Sequence, residues 1–177
     1  MPVEPKHDRL LFATRLVLTF LIWFTAAAAV VCSLLIPIVI FKHSAVVRDL
    51  AESGIRAGAL PWMVLLLVLG IAMAILGFFF FRLLRRIVNS VGDGDPFIPI
   101  NADRLYQMGW LSLGIQALVM AATPLMIWFD ALPQKPNVHH NDTGFSIGAL
   151  VTALLLFVLA RVFRVGSQMR EDLEGTV

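Results

Sequence analysis

The chain has 177 residues, of which 59% are hydrophobic and only 15% charged, and its mean hydropathy is +0.84. A water-soluble domain is closer to half apolar and a quarter charged, so this composition excludes an ordinary soluble fold and points to lipid. The net charge of +2 gives no basis for a nucleic-acid-binding protein, and the single cysteine, Cys32, excludes an intramolecular disulfide framework.

The first fifteen residues are polar and basic, with Lys6, Arg9 and Arg15. Residues 16–41 then contain no charged side chain. About 20 apolar residues cross a ~30 Å hydrocarbon core as a helix, so this run is read as the first membrane span. A signal peptide would have an apolar region of only about 7–15 residues before a small-residue cleavage site. Here the run continues well past Ala29, and Val31 ahead of Cys32 does not fit a lipidation site. Cys32 is read as a small packed apolar residue. Pro37, near the far end, is expected to kink or end the helix.

Residues 42–58 form a short polar linker. Ser44 is a candidate helix cap, and Val46, Val47 and Leu50 share a face opposite Arg48, Asp49 and Glu52. A surface helix and a solvated loop fit this pattern equally well. Residues 59–81 are the second uncharged run, opening on Pro61 and Trp62, which suit a first helical turn and a membrane interface. Gly70, Ala74 and Gly77 recur at spacings that let helices approach closely in lipid, within this chain or in a homo-oligomer.

Residues 109–129 form the third span, with Gln116 as its main polar group and Pro124 as a bend. Gln116 is expected to hydrogen-bond to a neighbouring helix, and Ser33, Ser112, Thr123 and Thr152 to their own helices. Residues 145–163 form the fourth span, and Arg170 and Glu174 beyond it are spaced for an i,i+4 pair. The two halves share no motif, so the chain is read as one all-α domain: a transmembrane four-helix bundle of two hairpins joined by a linker.

Orientation follows from the basic residues. Lys6, Arg9, Arg15, Arg82, Arg85, Arg86, Arg104, Arg161, Arg164 and Arg170 lie on the side of the termini and the middle linker. Lys42, Arg48, Arg56 and Lys135 lie on the other. Positive residues favour the cytoplasm, which places both termini and the linker there.

That middle linker, residues 82–110, carries most of the patterned polar chemistry. Arg82, Arg85 and Arg86 share a helical face and suit anionic lipid head groups. Gly92, Gly94, Asp95 and Pro96 turn the chain, and Phe97 and Ile98 are expected to insert at the interface. Asn101 is placed to cap the next helix, with Asp103 in its first turn. Asp93 and Asp95 have the spacing that begins a calcium loop but lack its remaining ligands, and GDGDP lacks the ending of a phosphate loop. The linker therefore reads as a cytoplasmic hinge between two helical hairpins.

The segment DPF followed by Asn101, Arg104 and Leu105 resembles the bacterial membrane family called domain of unknown function 2975. Phe163, Gly166 and the acidic stretch closing on Thr176 and Val177 are similar to that family's C-terminal pattern, although here Glu174 and Gly175 separate Leu173 from Thr176. The resemblance implies no established activity. It does imply a small helix-turn-helix regulator as a genomic neighbour, and hence a candidate cytoplasmic partner.

His139, His140, Asn141 and Asp142 form the other polar cluster, in a Pro/Asn-rich loop that offers no further metal ligands. No metal or other cofactor is expected, and no nucleophile–base pair is visible. The central spans lack the ionisable groups that mark ion pathways. The sequence thus favours a non-catalytic sensory, regulatory or structural membrane module in contact with lipid. The alternative is a small oligomeric transporter or channel component. A lipid-directed enzyme would have to rely on Asp93, Asp95 and Asp103.

Overall fold

The computed structural model describes residues 5–52, 60–130 and 144–174. Regular structure in these residues is helical: α1 (Pro5–Phe41), α2 (His43–Glu52), α3 (Leu60–Gly92), α4 (Pro99–Asp130) and α5 (Ile147–Glu174). The fold is an all-α bundle in which α1, α3, α4 and α5 are each long and apolar enough to cross a membrane. Without water to bond them, backbone N–H and C=O groups in hydrocarbon must pair within the segment, which drives uncharged runs into helices. Hydroxyls in these runs follow the same rule. Ser33 Oγ donates to Ala29 O at 2.7 Å, Thr123 Oγ1 to Val119 O at 2.8 Å and Thr152 Oγ1 to Gly148 O at 2.8 Å.

The main interfaces run in chain order, α1 on α3, α3 on α4, and α4 on α5. Side-chain contacts fix the alternation of direction. Arg15 of α1, Gly92 of α3, Asn101 of α4 and Arg170 of α5 gather at one end, called the polar end here. At the opposite end Trp62 of α3 meets Trp128 of α4 with ring centroids 6.2 Å apart. The best-buried apolar cluster, Ile87, Leu105, Met108 and Ala160, sits just inside the polar end and joins α3, α4 and α5. Elsewhere many large apolar side chains face outward, including Trp23 at 71% and Phe41 at 88% exposure. Apolar surface on this scale is incompatible with water. The chain is a multi-pass membrane protein.

The helices extend further than the uncharged runs. α1 begins at Pro5 rather than residue 16, α3 continues through residues 82–92, α4 begins at Pro99, just ahead of the expected Asn101 cap and ten residues before the span at 109, and α5 runs past 163 to Glu174. At ~1.5 Å per residue, the 33 residues of α3 span about 50 Å, well beyond a ~30 Å core. Hydropathy locates the lipid-embedded part, whereas the helix ends are set by contacts outside it. Pro37 does not end α1, which continues to Phe41. Residues 43–52 are helical, not looped, but Ser44 lies inside the first turn and is not its cap.

α3 ends by a defined mechanism. Gly94 has φ +84, its N–H donates to Val91 O at 3.2 Å, and the Asp95 N–H donates to Ser90 O at 3.1 Å. This pair of bonds around a left-handed residue is a Schellman motif, which satisfies the last carbonyls and turns the chain sharply. A side chain at that φ costs roughly 1–2 kcal/mol. Gly94→Ala is therefore expected to lower unfolding free energy by about 1 kcal/mol in detergent denaturation, with helical circular dichroism unchanged in native conditions.

Candidate functional site

The polar end is built around Asn101. Pro99 occupies the first turn of α4, where its missing N–H costs nothing, and this places Asn101 inside the helix with its N–H donating to Ile98 O at 2.9 Å. Asn101 is thus not the expected cap, and Asp103 lies beyond the first turn. The Asn101 side chain is completely buried. Its Nδ2 donates to Ser90 Oγ of α3 at 2.6 Å and to Pro96 O of the linker at 2.9 Å. Its Oδ1 accepts from Arg104 Nη1 at 2.9 Å. Ser90 in turn donates to Ile87 O at 2.8 Å. One amide therefore ties the end of α3, the linker and the start of α4.

The linker is then fastened to α5. Asp95 forms an ion pair with Arg170, so Arg170 reaches across the fold rather than only along its own helix toward position 174. Phe97 lies against Phe163 with ring centroids 5.2 Å apart, turning onto α5 instead of inserting freely at the interface. Gly166 makes room for it, since a Cβ there would stand 3.0 Å from Phe97 Cδ1. One turn into α4, Asp103 pairs with Arg164 at 2.6 Å. The expected hinge is thus a braced corner. Asp95, Pro96, Phe97, Asn101 and Arg104 come together; sequence reading missed Ser90 and the cross-fold role of Arg170, and had Phe163 and Gly166 only as a family pattern.

Arg82, Arg85 and Arg86 are all exposed on α3. Arg82 and Arg86 line a groove of about 610 Å³ between α3 and α4, whereas Arg85 does not. Arg104 bridges toward this side, its Nη1 also standing 3.4 Å from Arg86 O.

The intramembrane residues separate. A Cβ on Gly77 would stand 3.5 Å from Thr25 Cγ2 of α1, and Ala74 faces Thr25, Ala26 and Ala29 of the same helix. Gly70 has open space around it. Buried Gln116 donates to the backbone carbonyl of Gly144 at 2.7 Å, so its partner is the segment leading into α5 and not a neighbouring helix. Among the described residues no group of three or more His, Cys, Asp or Glu side chains gathers as a metal set. His139, His140, Asn141, Asp142 and the tail residues Thr176 and Val177 lie outside the described residues.

A family model described as "Protein of unknown function (DUF2975)" matches residues 45–177. The chain belongs to this family. The match takes in most of α2 and all of α3, α4 and α5, and leaves α1 outside. In this DUF2975 protein the two segments that carry the resemblance, DPF with Asn101 and Arg104, and Phe163 with Gly166, meet at the polar end. No curated protein and no solved structure matches the chain.

The energies differ in scale. Truncating a buried amide leaves its partners unsatisfied at about 1–3 kcal/mol, whereas exposed ion pairs contribute about 0–1 kcal/mol. Asn101→Ala is expected to cost about 2–3 kcal/mol in unfolding free energy. A double-mutant cycle on Asp95 and Arg170, whose side chains are 42% and 46% exposed, is expected to return a coupling below about 1 kcal/mol.

Proposed function

We propose that this DUF2975 protein is a non-catalytic module of the bacterial cytoplasmic membrane with a sensory, regulatory or structural role. Its polar end and both termini face the cytoplasm and offer a braced surface to a soluble regulator protein. The observation that supports this reading is the use made of two of the three candidate carboxylates. Asp95 and Asp103 are engaged by Arg170 and Arg164, which join helices, so these groups act as braces rather than as an acid and base poised over a substrate. The distribution of basic residues, ten on the proposed cytoplasmic side and four on the other, supports the orientation.

Two measurements test the reading. Liposomes containing the purified protein and loaded with proton- and potassium-sensitive dyes are expected to leak no faster than empty ones. Protein-dependent flux would favour the pore or transporter reading instead. A C-terminal tag is expected to be accessible only from the cytoplasm, and labelling from outside intact cells would reverse the orientation.

A further inference from the structure

The arginines of the polar end fall into two groups. On the α5 side two carboxylates have their cations: Asp103 holds Arg164 and Asp95 holds Arg170. On the α3 side, Arg82 and Arg86 have no carboxylate partner among the described residues, and none lines the groove into which they open.

The groove has two tiers. Leu76 and Phe79 on α3 and Leu111 on α4 line its deeper part, and Arg82 and Arg86 stand above them. Leu76 and Arg86 are ten residues apart on one helix, so at ~1.5 Å per residue the groove runs about 15 Å from its apolar floor to its outer arginine. Trp110 forms the α4 wall and is 57% exposed, presenting an indole to lipid near the arginine level. About 610 Å³ is within the range of a small-molecule site and suits a glycerol backbone with the first part of its chains. Guanidinium groups bind phosphate oxygens with paired hydrogen bonds, and they do so best where no protein carboxylate competes.

We propose that the α3–α4 groove is a binding site for one anionic phospholipid, with its phosphate on Arg82 and Arg86 and its chains against Leu76, Phe79 and Leu111. This goes beyond the general attraction of basic residues for a negative leaflet, because Arg85, equally exposed one position away, lies off the groove.

The test uses the full chain in nanodiscs of mixed phosphatidylglycerol and phosphatidylcholine, released and weighed by native mass spectrometry. The wild type is expected to retain one phosphatidylglycerol per chain. The pair Arg82→Gln/Arg86→Gln is expected to weaken retention at least ~10-fold, the scale of one lost charge-assisted contact. The charge-matched pair Arg85→Gln/Arg161→Gln is expected to retain the lipid. Leu111→Trp keeps both arginines but fills the apolar tier, and is expected to lose it. Equal loss in the two arginine pairs, equal retention of phosphatidylcholine, or full retention in Leu111→Trp would overturn the site. Displacement of the lipid by inorganic phosphate would also overturn it and assign the arginines to a soluble anion. Should the first pair fail to fold, Leu111→Trp with the charge-matched control decides the question alone.

Discussion

The polar end of this membrane protein depends on one buried amide. Asn101 has no exposed surface, and its side chain meets three partners from three places: Ser90 near the end of α3, Pro96 in the linker and Arg104 on α4. A polar group so placed is costly if any bond is missing and specifying if all are made. Here both Nδ2 hydrogens and the Oδ1 are used. The Schellman turn at Gly94 delivers Pro96 to the amide, and Pro99 starts α4 at the point that brings Asn101 inside. The apolar cluster of Ile87, Leu105, Met108 and Ala160 lies just within, so the amide caps a well-buried core that joins three helices.

From that corner the structure spreads outward with decreasing constraint. Phe97 and Gly166 dock the linker on α5, and two exposed ion pairs follow the docking without dominating it. Toward the middle of the membrane the contacts become small and apolar, as where Gly77 approaches Thr25. α1 stands apart from the corner itself. It packs mainly on α3, keeps most of its large apolar residues outward, and lies outside the family match. The match begins near the start of α2, so the region that defines the family is also the region braced around Asn101.

Much of the fold was legible in the sequence because the relevant physics is local. An uncharged run must become a helix in lipid, and four such runs gave four spans. The turn at residues 92–96 was legible from its glycines and Asp-Pro. The continuation of α3 through its arginines and a start of α4 near Asn101 were legible too, but the ends of α1 and α5 were not, because hydropathy carries no information about helix beyond the lipid. Asn favours helix starts, which makes Asn101 look like a cap. Pro99, two residues earlier, was the better signal, since proline favours the first helical position and would have placed Asn101 inside. The pairing of Asp95 with Arg170, 75 residues apart, had no sequence signal beyond opposite charge. The groove of Arg82 and Arg86 needed α4 beside them to exist. Phe163 and Gly166 were visible as a pattern, but their purpose became clear only with Phe97 between them.

The central claim is that Asn101 holds the linker in one arrangement against α5. Spin labels at positions 93 and 171, both exposed, in a Cys32→Ala background would report the distance across this corner by pulsed electron resonance. One narrow distance is expected in the protein that retains Asn101, broadening when Asn101→Leu is added. A broad distribution with Asn101 present, or a narrow one unchanged by its removal, would contradict the account.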